Sequence, residues 1–415
     1  MTLSPASGGN GTAPLVDPAT FPLLARAAAE GRPLAYLDSA ASAQKPAVVL
    51  DRLRDFYSRD YANIHRGVYP LSERATEAYE AARARVARFL NAQPEEIVFT
   101  RGATEAINLA AYSFGGAFLK PGSRLLISQL EHHANIVPWQ MLRERIGAAI
   151  EAIPIDHRGD IDIDGLRRLL PGAGLVCITA VANTTGTVTP LKEIIALAHE
   201  AGARVMVDAA QAAAHHPLDM ADLDCDLLAF TGHKVYGPDG IGVLYGKREL
   251  LAGMPPWQTG GDMIRTVTIA KTDFAEPPRR FEAGTPPIGA AIGLATALDF
   301  IAEIGFERIA SHDHALTEHA LGRLGEVPGL RLIGAPQRRA GIVSFTMDGL
   351  HPHDVGSLLG EAGICVRTGH HCAQPLMEHL GITGTIRASF AVHTAAAEID
   401  RLAEALVKAR QLLLR

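Results

Sequence analysis

Lys234 stands in the run Thr231-Gly232-His233-Lys234, just after an apolar stretch, residues 226–230, that reads as a β-strand. Other polar residues occupy the same kind of position. His132 follows residues 124–128, Asn183 follows 175–181, and Asp208 and Gln211 end 204–210. In open parallel sheets, ligands sit outside the carboxyl ends of the strands. These strand ends would therefore present a His, an Asn, an Asp and a Lys to one crevice. A lysine can form a Schiff base with an aldehyde, and a carboxylate can keep a pyridine nitrogen protonated. The turn Arg101-Gly102-Ala103-Thr104, between a strand at 97–100 and a helix opening at Glu105, offers N–H groups and a hydroxyl to a phosphate. Aldehyde, pyridine nitrogen and phosphate together describe pyridoxal phosphate. Taken singly, the same residues have plainer readings: a strand-end turn for Asp208, a solvated lysine for Lys234, a helix N-cap for the Gly-Ala-Thr turn.

Cys372 is a second centre. A nucleophilic thiol needs thiolate character and access, helped by nearby positive groups. Arg367, His370 and His371 precede it closely in a Gly-containing, loop-like stretch. Two alternatives stand beside this reading. One is an inert, half-buried cysteine. The other is a metal site built from Cys365, His370, His371 and Cys372, although that spacing is not a usual zinc pattern. Cys177, Cys225 and Cys365 lie in apolar surroundings and read as buried core residues.

These residues need elements to hold them. The chain has 415 residues, 47% of them hydrophobic and 20% charged, enough for two or three domains with a large core. Short apolar runs at 97–100, 124–128, 175–181, 204–210, 226–230 and 242–246 alternate with amphipathic ones, which predicts an α/β domain with a mostly parallel sheet. Residues 73–90 and 191–202 have helical spacing, the second stopping at a glycine. Residues 253–287 are rich in Gly, Pro and Trp and read as loops. Helices are expected at 288–304, 309–324 and from 397 to the end, with strands near 341–346 and 365–367. That makes a large domain, 20–296, and a smaller α+β domain, 297–415, with an N-terminal arm at 1–19 assigned to the latter.

Composition narrows the class. Lys+Arg total 39 against 45 Asp+Glu, a formal charge of −6, and no basic block appears, which argues against a nucleic-acid partner. The longest uncharged run, 169–191, contains two prolines, Asn183 and five threonines, so it is not a lipid-facing helix. Residues 1–16 lack a basic region and read as a mobile arm. Four cysteines are too few for a disulfide scaffold and suit a reducing compartment. The expectation is a soluble, cytoplasmic protein with no membrane partner. The 17 histidines are an excess that the site must absorb in part; His215, His216, His312, His314, His319, His351 and His353 read as surface or turn residues.

Eight stretches carry a resemblance. They are NIHRGVYPLSERAT (63–76), TRGATEAINL (100–109), EHHANIVPWQ (131–140), VDAAQAAAHH (207–216), TGHKVYGPDGIGVLYG (231–246), FEAGTPP (281–287), RTGHHCAQP (367–375) and IRASFAVHT (386–394). In this order they make the chain resemble a fold-type I pyridoxal phosphate enzyme of the class V aminotransferase family, and within it a group II, SUF-type cysteine desulfurase. The resemblance implies that Lys234 holds the cofactor and then moves protons, that Asp208 pairs with the ring nitrogen, and that His132 stacks on the ring. Gln211 would hydrogen-bond the phenolic oxygen, and Asn183 would position cofactor and substrate. Thr104, Thr231 and His233, with the Ala103 turn, would hold the phosphate, and Thr285 would reach the phosphate of a partner subunit in a homodimer. Arg387 would clamp the substrate carboxylate with two parallel hydrogen bonds, and Arg367 and His65 would complete the substrate site. Cys372 would take sulfur from L-cysteine as a persulfide, releasing L-alanine, for iron–sulfur cluster assembly through a SufE- or SufU-type acceptor. Selenocysteine lyase activity on the same site and a non-catalytic scaffold are the alternatives. The sequence departs from the family where Ala103 replaces a frequent Thr, Thr231 a Ser, Thr184–Thr185 apolar residues, and His393–Thr394 a Tyr–Asn pair.

Overall fold

Along strand Arg204–Asp208, Val205 and Val207 pack into one core while Met206 packs into another. Strand Ala173–Thr179 divides likewise, Val176 and Ile178 against Leu175 and Cys177. A strand buried on both faces has no polar side, which is why these segments are continuous apolar runs in the sequence. The computed structural model describes residues 13–414. Its main sheet has seven strands in the order Ile97–Thr100, Gly242–Gly246, Leu227–Thr231, Arg204–Asp208, Ala173–Thr179, Arg124–Ser128 and Ala149–Ile153. Gly242–Gly246 runs antiparallel to both neighbours, and the remaining pairings are parallel. Helices Pro70–Phe89, Leu191–Glu200 and Ile288–Ile304 cover one face. Helices Ala103–Leu109 and Val137–Ile146 cover the other.

A second, antiparallel sheet follows, in the order Leu330–Ile333, Ile342–Met347, Thr385–Ser389, Arg367–Gly369. Its core takes Val343, Phe345, Ile386 and Ala388 together with Leu316 of helix Phe306–Gly325 and Ile399, Leu402 and Leu406 of helix Ala396–Leu413. The mostly parallel sheet and the smaller α+β unit are those the sequence predicts.

Several details differ. Strand Ala35–Tyr36 pairs in parallel with Ile364–Cys365, and Ala35 and Leu37 lie in the smaller unit's core. A two-residue strand is too short to leave a periodic signal. Residue 296 falls inside the unbroken helix Ile288–Ile304, which is apolar around most of its surface and so shows no compositional break. The stretch expected as loops, 253–287, contains a hairpin, Ile264–Val267 with Thr272–Phe274. It lies outside the main sheet and its tip residue Ile269 is fully exposed, so no burial pattern marked it. Of the expected mobile arm, residues 1–12 lie outside the described residues. Val16 is buried, and its N–H donates to the Val392 carbonyl at 2.8 Å. Among the described residues no single helix is long and apolar enough to cross a membrane; the bent pair Ile288–Ile304 and Phe306–Gly325 meets that test only jointly.

Candidate active site

The carboxyl ends of the parallel strands open into a cleft of about 600 Å³. Lys234 reaches it from the short turn Gly232–Lys234 after strand Leu227–Thr231, and Asp208 from the last position of Arg204–Asp208. Ala103, Thr104, His132, Asn183, Gln211, Thr231, His233, Arg367 and Arg387 line it with them. Trp257, from the segment read as loop, lines it too.

Lys234 and Asp208 set the electrostatics. Burial pushes the Lys234 amine down to about 8; Asp208 pulls against this while Arg387 and Arg367 add to it. Burial likewise raises the Asp208 carboxyl, offset by the Ala210 N–H, which donates to Oδ1 at 2.9 Å, and by the charge of Lys234. A buried carboxylate with so little compensation is suited to a cationic partner such as a protonated ring nitrogen. His132 is pushed down to about 4, chiefly by burial and then by the charge of Lys234. Its Nδ1 accepts the Ala134 N–H at 3.0 Å, so the hydrogen of the neutral ring sits on Nε2. Gln211 donates one amide hydrogen to the Ala40 carbonyl at 2.8 Å and keeps a second.

The phosphate turn is built by close backbone contact. A Cβ on Gly242 would stand 2.4 Å from the Gly102 main chain, so strand and turn can touch only because residue 242 is glycine. Glu105 tightens the turn, accepting from the Arg101 N–H at 2.8 Å and from Arg101 Nε at 2.7 Å. Gly102 supplies no side-chain cap, leaving first-turn N–H groups beside the cleft. With the Thr104 and Thr231 hydroxyls these form a donor set for a phosphate. The residues present therefore fit pyridoxal phosphate. Ala103 leaves this donor set with one hydroxyl fewer than a Thr would give.

At the opposite side the antiparallel sheet supplies two guanidinium groups. Arg387 is 1% exposed. It donates to the Asn183 carbonyl at 2.9 Å and to Asp38 Oδ1 at 3.2 Å, and its Nε has no partner. Burial lowers it to about 10. Like charges placed together and partly unpaired favour an anion between them.

Cys372, Thr285 and His65 do not line the cleft. Cys372 is half-buried on the turn whose preceding residue, His371, does line it. Asn183 Nδ2 donates to the His371 carbonyl at 2.7 Å, joining that turn to the large domain. Thr285 is exposed. His65 Nε2 pairs with Glu80 Oε1 at 2.9 Å, away from the cleft lining. Among the described residues no group of three His, Cys, Asp or Glu side chains is placed to hold a metal ion.

Sequence reasoning missed several supporting residues. Asp38 follows a strand too short to notice. Glu131 is fully buried and accepts from Thr179 N–H and Asn135 Nδ2, each at 2.7 Å, and from the Ser128 hydroxyl, tying two strand ends together. Burial raises its carboxyl to about 8. The signal was present, since Glu131 sits beside His132 in EHHANIVPWQ. Cys177 and Cys225 are buried as expected, but Cys365 is only half-buried, on the short strand at the edge of the smaller unit. His215 and His312, read as surface residues, are buried. His215 Nδ1 pairs with Asp313 at 2.6 Å, a link between sequence-distant residues that no local pattern shows.

The fold and this site define a class V, fold-type I enzyme, and residues 35–402 match the family model described as Aminotransferase class-V. The chain belongs to that family. It is 52% identical over 95% of its length to a cysteine desulfurase of Dickeya dadantii (strain 3937), covering 96% of that protein. It is 49% identical over 95% of its length to a cysteine desulfurase of Escherichia coli O7:K1, covering 98% of it. Its structure matches the crystal structure of the cysteine desulfurase CsdA (S-sulfonic acid) from Escherichia coli with TM-score 0.88 and 41% identity, covering 95% of this chain and 97% of that one. It also matches a C-DES mutant with glycine covalently linked to the PLP cofactor, at TM-score 0.80 and 25% identity, covering 94% and 99%.

Proposed function

We propose that this protein is a pyridoxal phosphate-dependent cysteine desulfurase that converts L-cysteine to L-alanine and carries the sulfur as a persulfide on Cys372. When bound, the cofactor supplies an electrophilic aldehyde and a ring that withdraws electrons from the amino acid. The chain supplies the rest. Lys234, with its amine held near neutrality, carries and moves protons at Nζ. Asp208 holds positive charge at the ring nitrogen, and His132 presents a neutral ring to it. Thr104, Thr231, His233 and the Gly102–Thr104 backbone anchor the phosphate. Arg387, with Arg367 beside it, takes the substrate carboxylate and fixes which way the sulfur points. The Cys372 thiolate then attacks that sulfur: an S–S bond forms, the C–S bond breaks, and the alanine carbon gains a proton.

The observation that carries this reading is the joining of Cys372's turn to the cofactor cleft by the bond from Asn183 Nδ2 to the His371 carbonyl. The test is alanine production from L-cysteine by Cys372→Ser with a thiol acceptor present. Loss of turnover with the visible cofactor band intact supports the persulfide route, and full activity overturns it. On the same reading the protein is a cytoplasmic homodimer in which the exposed Thr285 reaches the partner's phosphate. It passes sulfur to a SufE- or SufU-type acceptor for iron–sulfur cluster assembly, as group II, SUF-type enzymes do.

A further inference from the structure

The turn between strand Arg367–Gly369 and helix Gln374–His379 holds two consecutive residues in left-handed backbone, His371 at φ 52° and Cys372 at φ 55°. Residues with a Cβ take that conformation only where surrounding structure imposes it. One residue of the large domain grips the turn on both sides of the thiol. The His133 N–H donates to the Cys372 carbonyl at 2.7 Å, and the Gln374 N–H donates to His133 Nε2 at 3.0 Å. The His133 ring also lies 5.7 Å from that of His370, whose Nδ1 accepts the Cys372 N–H at 3.2 Å. His133 directly follows His132, whose ring lines the cleft. One short turn, His133–Asn135 with its cap His132, thus faces the cofactor with one imidazole and holds the cysteine with the next.

We propose that His133 is the positioning residue for Cys372, fixing the thiol relative to the cofactor cleft through its Nε2 acceptor and its main-chain N–H. The inference rests on the reading of Cys372 as the sulfur acceptor. To accept from Gln374, Nε2 must carry no hydrogen, so the working ring is neutral with its hydrogen on Nδ1. Burial, with the nearby His370, keeps His133 below the usual histidine range and so preserves that form at neutral pH. Asn183 and Thr385 hold the adjacent His371, through its carbonyl and its Nε2. Cys372 itself is left to His133 and to the loop's own His370.

The test compares two substitutions in the holoenzyme. The amide carbonyl of His133→Gln can reach the place of Nε2, whereas that of His133→Asn reaches only the place of Nδ1. Both keep the main-chain N–H. His133→Asn is expected to lower kcat roughly ten- to hundred-fold, the scale of a misplaced reacting group. KM for cysteine and the visible cofactor band should stay in place. The rate at which iodoacetamide alkylates Cys372, read by peptide mass spectrometry, should rise as the turn loosens. His133→Gln is expected to stay close to the unsubstituted protein in all of these. If the two variants behave alike, whether both impaired or both unaffected, the proposal is overturned. Because alkylation needs no turnover, it decides the role of His133 even if Cys372→Ser proves fully active and the persulfide route fails.

Discussion

Arg367 and Arg387 are direct cross-strand partners on the antiparallel pair Arg367–Gly369 and Thr385–Ser389. Like charges directly opposite destabilise a sheet. Asp38 pairs with Arg387 and also lies near Arg367, but one carboxylate cannot balance two guanidinium groups. Burial raises Asp38 above its ordinary range even so. The pair is therefore held ready for a second anion, which on the proposed function is the substrate carboxylate.

Arg387→Lys keeps the charge and removes the fork. A charged hydrogen bond contributes about 1.5–3 kcal/mol, so kcat/KM for L-cysteine is expected to fall roughly ten- to hundred-fold, mainly through KM. Steady-state alanine formation measures this. The cofactor band should not move, because Arg387 is not among the residues proposed to hold the phosphate or the ring nitrogen. A variant with unchanged KM would remove Arg387 from substrate binding.

Gly242→Ala tests the phosphate turn from behind. The added Cβ meets Gly102 at 2.4 Å, and neither main chain can yield cheaply. Overpacking of this kind costs about 1–3 kcal/mol. Here the strain falls on the turn proposed to offer N–H groups to the phosphate. The variant should fold and lose pyridoxal phosphate faster on dialysis, followed by the visible band. Retention equal to the unsubstituted protein would show that the turn does not bear on the cofactor.

The strands that carry Lys234, Asp208, His132 and Asn183 were legible because both faces are buried, so each wrote an apolar run ended by a polar residue. Strand Gly242–Gly246 was equally plain, though its antiparallel direction was not. Direction depends on what the chain does between strands, and residues 235–241 carry no helix to signal a crossover. Glu131, Asp38 and His133 were harder. Each acts by bonding to groups distant in sequence, such as Thr179 for Glu131 and Gln374 for His133. The motif that held His132 contained two of them, but a motif names positions without saying which atoms meet.

The lowered Lys234 amine gives cofactor uptake a pH dependence. Only the neutral amine is nucleophilic, and burial holds the group at about 8 in the folded chain. Stripped of cofactor, the protein is expected to take up pyridoxal phosphate faster as pH rises from about 7, levelling above about 9. Stopped-flow absorbance at several pH values measures the midpoint. A midpoint near 10, where ordinary lysines titrate, would show that the enclosure does not perturb the amine.

The buried His215–Asp313 pair predicts a pH-dependent stability. Burial alone would lower His215, but the charge and hydrogen bond of Asp313 outweigh it and the net shift is upward. A histidine raised on folding contributes stability that is full below its unfolded value of about 6.5 and is lost as pH rises through the folded value. His216, pushed down to about 4 by burial and then by His215, stays neutral in the folded chain but titrates at about 6.5 when unfolded. It therefore adds an opposing rise of stability with pH that the unsubstituted protein and Asp313→Asn share. Asp313→Asn leaves a buried imidazole without its counter-charge, and breaking a buried pair costs about 3–5 kcal/mol. Urea unfolding should therefore show a large loss at pH 6 and a smaller one at pH 8, where the unsubstituted protein has already given up part of the pair. Equal losses at the two pH values would mean that Asp313 supports the fold through packing, with no contribution from the charge on His215.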